Sequence, residues 1–318
     1  MNYKDVFENY GNIPPVRKEK YMYGRILYSP FRYLMRRICT QLYFPYYFRK
    51  YTNLSHDIAH DTIVSLTSFP KRFSNLWLVI ESLKHQTIKP EKILLYLSNQ
   101  EVNNKNDIPV SLLNEEDDLF EIRFRDGKLR AHGKYYYAMC DFPNKNVVTV
   151  DDDVIYAPDM LEFLLKGHYA FPNDVITNHS YQIILNKNGD IKSYNEWKGL
   201  NSDDFNSGYC TINNLIPMGV SGALYPSNVL YGDVLNFDIA KDLSYLADDL
   251  WLYSQTVLSG NKVVLTSFNN MKNIPVYIKD NITLTNLNVG QNQNDIQINK
   301  LRRYYLKKLN IDIISNQY

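Results

Sequence analysis

Three consecutive aspartates, Asp151, Asp152 and Asp153, interrupt the run VVTVDDDVIY between Val147 and Tyr156. Carboxylates this close repel one another, and the apolar residues on both sides place them at the end of a buried strand. Positive charge must answer them. In extended backbone, residues i and i+2 point the same way, so Asp151 and Asp153 are expected to share one ligand while Asp152 turns aside. Mg²⁺ and Mn²⁺ take oxygen ligands and commonly bind through one or two carboxylates plus substrate phosphates. A solvated acidic turn is the plainer alternative. A second acidic pair, Asp248 and Asp249, lies in the mostly apolar stretch YLADDLWLY. Its proton affinities should be perturbed there, as those of catalytic carboxylates often are. The same pair could supply the cap and first-turn acids of a helix, or one aspartate could cap while the other faces a site. Between the two clusters, PMGVSGALYP (217–226) carries Gly219 and Gly222, which let backbone approach a ligand closely. A glycine-containing hairpin is the alternative.

Alternating strands and helices must position these groups. Thr62 to Thr67 reads as a strand, ended by the turn chemistry of Ser68-Phe69-Pro70. A helix capped by Ser74 should run to about His85, with Leu76, Val79, Ile80 and Leu83 on its apolar face. The run Lys92 to Leu97 is a second strand, apolar enough for burial on both faces. A helical patch near 111–119, a strand over 120–124, a helix over 133–140 and a strand over 146–150 follow. Helices are expected near 159–169 and 247–259. Such alternation implies an α/β fold with a mostly parallel sheet flanked by helices. Ligands of these sheets sit at the carboxyl ends of strands, where Asp151 to Asp153 fall.

The 318 residues carry 35 Lys+Arg against 34 Asp+Glu. That balance gives no bulk field calling for nucleic acid, and no nucleic-acid partner is expected. Cys39, Cys140 and Cys210 form no CxxC pair, so neither a structural zinc site nor a disulfide framework is indicated, and a cytoplasmic setting fits. The acidic start MNYKDVFENYGN does not read as a secretory signal. No uncharged apolar run is long enough to span a bilayer. The first 60 residues stand apart: from Val16 to Lys50, nine Lys/Arg face the single acid Glu19, interleaved with aromatics. This segment could hold an anionic membrane surface, peripherally on the inner face of the plasma membrane, or pack its aromatics on the main domain. Pro30 and Pro45 are expected to interrupt a long helix. The tail over 281–318, rich in Asn and Gln and then basic, should close over the site or dock on the N-terminal segment.

Three ordered features together carry a resemblance. The loop Thr-Ser-x-Pro-Lys-Arg follows the first strand, Asp-x-Asp ends a later one, and ADDLW (247–251) heads a helix. With IESLKHQTIKPEKILLYLS (80–98), they resemble nucleotide-sugar-dependent glycosyltransferases of the GT-A fold, of the kind similar to bacterial family-2-like polysaccharide and capsule enzymes. The resemblance spans roughly residues 61–280. It implies a Rossmann-like GT-A domain there, with helical extensions over 1–60 and 281–318. It also implies a nucleotide-sugar donor, a UDP-sugar first, and a glycan or lipid-linked saccharide acceptor, with Mn²⁺ or Mg²⁺ as cofactor. Thr67, Ser68 and Arg72 would then line the nucleotide pocket, with Asp126 and Lys134 contacting base or phosphate. Asp151 and Asp153 would hold the metal, and Asp152 would reach ribose or sugar hydroxyls. The turn with Gly222 would contact sugar. Inverting transfer needs a base on the acceptor hydroxyl, which assigns Asp249 first and Asp248 second. The late histidine that serves some of these enzymes as a third metal ligand has no counterpart, since the last histidine is His179. Trp197, Trp251 and Tyr209 are candidate sugar-stacking surfaces. A haloacid-dehalogenase-like phosphatase is the rival enzyme reading, with Asp151 as nucleophile, Asp153 as acid and Asp248-Asp249 on Mg²⁺. Such a motif ordinarily follows the first strand, and three strands precede it here. A non-catalytic membrane-associated binding protein is the remaining alternative.

Overall fold

The computed structural model describes residues 2–13, 22–51, 57–102, 104–200, 202–205, 208–277 and 292–314. Strands β1 (Ile58–Thr67), β2 (Lys89–Ser98), β3 (Phe120–Arg125) and β4 (Asn146–Thr149) run parallel in the spatial order β3–β2–β1–β4. Ile93 to Leu97 of β2 are at most 1% exposed, as expected of a parallel strand covered on both faces. After the short β5 (Val154–Ile155), β6 (Val175–Thr177) belongs to the same sheet. β7 (Ser180–Gln182) and β8 (Lys198–Leu200) belong to a small second sheet, and β9 (Tyr209–Cys210) edges the large one. β10 (Leu215–Pro217) pairs with β7, whereas β11 (Ala223–Tyr225) runs antiparallel between β4 and β6. The stretch 217–226 is therefore no hairpin: its two strands serve different sheets. β12 (Val263–Thr266) lies between β6 and β9 and completes an eight-stranded sheet, and β13 (Ile274–Pro275) pairs with β5.

The chain order departs from β1 toward β3 and returns to β4 on the other side. Such a reversal opens a crevice beyond the carboxyl ends of the strands at the switch point. This is an α/β, Rossmann-like architecture with a mostly parallel sheet flanked by helices.

The N-terminal segment forms α1 (Tyr3–Gly11), α2 (Met22–Ile38), a π-turn over Cys39–Tyr43, and α3 (Phe44–Lys50). Contrary to expectation, α2 continues through Pro30. Near Pro45 the π-turn absorbs the defect: the Phe44 N–H reaches back five residues to the Cys39 carbonyl, and Pro45 falls in the first turn of α3, where a missing donor matters least. Tyr3, Phe7, Phe44 and Phe48 are buried against the main domain.

Helix α4 (Phe73–Lys84) buries Leu76, Val79, Ile80 and Leu83 as the spacing predicts. It starts one residue before Ser74, however, with Arg72 in the cap position and no side-chain cap. The patch expected over 111–119 reduces to one turn, α5 (Val110–Leu113). Helices α6 (Gly133–Asp141), α7 (Met160–Ala170) and α9 (Asp248–Leu258) lie close to their expected positions, whereas α8 (Phe237–Ser244) is not expected from the sequence. From α10 (Gln293–Leu309), Ile298, Leu301 and Tyr305 enter the core shared with α9. The described part of the tail thus joins the C-terminal half and does not dock on the N-terminal segment. The stretch 278–291 lies outside the described residues.

Candidate active site

A cleft of about 600 Å³ opens where the switch point of the sheet places it. Thr67, Ser68, Arg72, Lys134, Asp151, Asp152, Asp153, Asp248 and Asp249 all line it. Asp126 and Gly222 do not. Asp126 is exposed beyond β3, where its carboxylate accepts from Asn99 Nδ2 at 2.8 Å. Gly222 packs under α7 with φ +91°; a Cβ there would come 2.7 Å from Met160 Sδ, so both backbone and space require glycine.

Backbone geometry splits the triplet. β4 ends at Thr149, and Asp152 and Asp153 lie in a turn, so the alternation expected of extended chain does not hold. Asp151 Oδ1 accepts from Lys134 Nζ at 2.8 Å. Buried Asp152 accepts from Ser68 Oγ at 2.5 Å and from the Arg72 guanidinium. Arg72 also reaches Asp153 Oδ2 at 3.1 Å. The loop after β1 is thus tied across the switch point to the loop after β4. Burial raises the Asp152 carboxyl, against the opposing pull of Arg72 and Ser68. Asp153 is pushed up to about 6, chiefly by desolvation, with Arg72 opposing and Asp151 and Asp152 adding. The Thr67 hydroxyl is occupied by the Tyr96 carbonyl at 2.9 Å.

The other half of the site centres on Lys134, only 4% exposed. Its backbone carbonyl accepts from Ser65 Oγ at 2.5 Å, fixing the first turn of α6 to β1. Its ammonium lies 2.8 Å from Asp151 and 3.0 Å from Asp248 Oδ2. Burial opposes that charge, but Asp151, Asp248 and Asp249 outweigh it and hold the lysine well above its usual range. Asp248 is lowered: burial works against it, and Lys134 and His132 prevail. Asp249 is raised well above the carboxylate range by burial and then by Asp248, with the Gly219 N–H, 3.2 Å from its Oδ1, opposing. A Cβ on Gly219 would sit 2.9 Å from Lys134 Nζ, so this backbone passes directly beneath the charge cluster.

Neither aspartate caps α9. The cap position falls to Ala247, and the pair occupies the first turn, where the helix dipole favours acids. What anchors that turn is His132, buried, its proton affinity lowered by desolvation against the pull of Asp248. Its Nε2 lies 2.9 Å from the Ser244 carbonyl, and its Nδ1 lies 3.1 Å from the Tyr135 hydroxyl. Ser244 Oγ in turn donates to the Ala247 carbonyl at 2.7 Å.

Beyond Asp249 the cleft has an aromatic wall that the sequence reading missed: His179, Tyr181 and Tyr194. Tyr181 and Tyr194 stack at 5.7 Å with 29° between planes. The Tyr194 N–H donates to Asp295 Oδ1 at 2.7 Å, so the start of α10 braces this wall. Burial pushes His179 down to about 4, which leaves it neutral. Trp197, Trp251 and Tyr209 do not line the cleft; Trp251 is fully buried.

Among the described residues no group of three or more His, Cys, Asp or Glu is placed to hold a metal ion. Asp151 and Asp153 nevertheless offer hard oxygens on the cleft wall, with side chains 33% and 30% exposed. Mg²⁺ and Mn²⁺ commonly bind through one or two carboxylates, with remaining ligands from substrate phosphates and water.

No protein-family model matches the chain, and no curated protein matches it. Among solved structures, it is similar to 4-diphosphocytidyl-2C-methyl-D-erythritol synthase from Anaerococcus prevotii DSM 20548. That likeness has 11% identity over 70% of this chain and 93% of that one, with a TM-score of 0.41. It is also similar to an apo UDP-glucose pyrophosphorylase (9% identity, 80% and 99% covered, TM-score 0.39). A third likeness is to HddC from Yersinia pseudotuberculosis (12% identity, 54% and 76% covered, TM-score 0.33).

Proposed function

We propose that this chain is a glycosyltransferase moving a sugar from a nucleoside-diphosphate sugar to a hydroxyl of a glycan or lipid-linked saccharide, with inversion. One observation carries the reading: Lys134 joins Asp151, at the end of β4, to Asp248, beside Asp249, within a single cleft. The donor diphosphate lies over the strand ends, beside Arg72 and the triplet. Asp151 and Asp153 would hold a divalent cation, which when bound neutralises the charge of the departing diphosphate.

Asp249 takes the proton from the acceptor hydroxyl. That oxygen forms its bond to the anomeric carbon as the bond to the diphosphate oxygen breaks, and a nucleoside diphosphate leaves. Raised proton affinity makes the freed Asp249 carboxylate a stronger base than an ordinary one, and the Gly219 N–H holds its Oδ1 in place. The acceptor saccharide lays an apolar ring face on Tyr181 and Tyr194. A role in surface polysaccharide synthesis on the cytoplasmic side of the membrane follows from the resemblance in the first strand loop, the triplet and ADDLW.

The test is a thermal-shift screen of nucleoside diphosphates and nucleotide sugars with and without Mn²⁺, followed by product analysis with the stabilising donor. Stabilisation that requires metal, with nucleoside diphosphate among the products, supports the assignment. Release of pyrophosphate from a nucleoside triphosphate and a sugar phosphate would make the enzyme a nucleotidyltransferase. Phosphate release from simple monoesters would favour the phosphatase reading.

A further inference from the structure

Helices α2 and α3 and the π-turn between them carry two apolar faces. The inner one is satisfied: Cys39, Phe44 and Phe48 are buried, packed with Tyr3 and Phe7. The outer one is not. Phe31, Leu34, Ile38, Leu42 and Tyr46, spaced three or four residues apart, are 49, 51, 39, 66 and 60% exposed. Their spacing carries them across the π-turn as a stripe roughly 20 Å long at 1.5 Å per residue. A helix on a soluble surface turns polar residues outward, and a continuous exposed apolar patch marks an interaction surface.

Charge identifies the kind of partner. No Asp or Glu occurs between Glu19 and Asp57. Arg32 and Arg36 are turned inward, donating to the carbonyls of Ile13 and Val276 at 2.6 Å each. The exposed cations Arg37, Arg49 and Lys50 flank the stripe. Lys50 lies 3.0 Å from the Tyr46 hydroxyl, and Arg49 lies over the Trp77 ring. A second copy of this face would set cation against cation with no acid to pair, which disfavours a symmetric dimer. Exposed tyrosines with polar tips suit the depth of lipid headgroups.

We propose that the outer face of α2 and α3 docks on an anionic lipid bilayer, with Phe31, Leu34, Ile38, Leu42 and Tyr46 entering the interface and Arg37, Arg49 and Lys50 on the headgroups. This docking is independent of the sugar-transfer reading. It does bear on the cleft: the Val276 carbonyl that holds Arg36 belongs to a residue whose N–H donates to the Asp153 carbonyl at 2.8 Å. The docked helix is thus one residue removed from the acidic triplet, a suitable place for an acceptor presented from a membrane.

Co-sedimentation of the full chain with phosphatidylcholine vesicles, with and without phosphatidylglycerol, tests the proposal without any nucleotide. Binding is expected only to the anionic vesicles and to weaken as salt rises. The double variant Leu42→Ser/Tyr46→Ser should lower the partition about tenfold, and Phe31→Ser/Leu34→Ser reads the same face independently. Arg37→Gln/Arg49→Gln/Lys50→Gln should remove most of the salt dependence. The proposal is overturned by absent binding, by equal binding to both vesicle types, or by binding that both apolar double variants retain. A concentration-dependent dimer abolished by Leu42→Ser/Tyr46→Ser would also overturn it, making the stripe a contact between copies.

Discussion

Two cations answer the acidic triplet, and they do so differently. Arg72 sits in a loop at the cleft's rim and binds two neighbouring carboxylates, Asp152 and Asp153, so its corner is confined to adjacent residues and ties two loops together. Lys134 sits in the interior and serves carboxylates from two distant elements, Asp151 beyond β4 and Asp248 on α9, with Asp249 adding to the surplus. One corner is a fastener. The other is a hub in which three acids from two elements surround one buried cation, and buried charge of this kind is typical of groups arranged for chemistry.

The comparison breaks most sharply at Asp249. Asp249→Asn is expected to lower sugar transfer by about a thousandfold, within the range ascribed to a positioned general base. Donor affinity measured by calorimetry should hardly change, because the substituted side chain keeps its size and the Gly219 contact. A nucleotide affinity that falls in parallel with transfer would place Asp249 on the donor side instead.

Removing the hub cation comes next. Lys134→Met would leave Asp248 buried without its partner, and breaking a buried pair in this way costs about 3–5 kcal/mol. Denaturant unfolding should show that loss. A loss below about 1 kcal/mol would mean that water enters the cluster and that Lys134 is no hub.

Proton linkage gives the third prediction. Asp249 holds its proton more tightly folded than unfolded, so its contribution to stability is complete below the unfolded value and is lost as pH rises through the folded one. Asp249→Asn should therefore raise the melting temperature increasingly toward alkaline pH and leave it unchanged in acid. Transfer must run the opposite way, rising with pH as the carboxylate is freed. Its midpoint lies above the ordinary carboxylate range because burial, with Asp248 and Asp151 adding, outweighs Lys134. A midpoint near 4 would remove Asp249 from the role of base.

Much of this site was legible in the sequence because strong local signals carry it. The apolar run before Asp151 and the mostly apolar stretch around Asp248-Asp249 fix those carboxylates to a strand end and a helix start whatever the tertiary detail. The direction of each side chain was not legible. The rule that pairs Asp151 with Asp153 assumes extended chain, and the backbone turns after Val150 instead. The aromatic wall escaped for a different reason: in a chain with 27 tyrosines, Tyr181 and Tyr194 look like packing until β7 and the loop before Trp197 bring them together. His132 gave no signal at all, since its partner Ser244 is 112 residues away. The stretch past Pro30 failed because packing of Arg36 against 276 holds a helix that local propensity alone would end.

The smallest expected effect falls on the fastener. Arg72→Lys keeps the charge but loses the planar guanidinium whose Nη1 meets both carboxylates, so Asp152 keeps Ser68 and surrenders part of its second partner. About 1.5 kcal/mol should disappear from unfolding, the scale of one hydrogen bond to a charged group. The midpoint of transfer should not move, because the carboxylates that Arg72 pairs with are Asp152 and Asp153. If the midpoint does shift, the two corners are electrostatically one unit. The loop after β1 would then tune the base across the cleft, and the division between fastener and hub would fail.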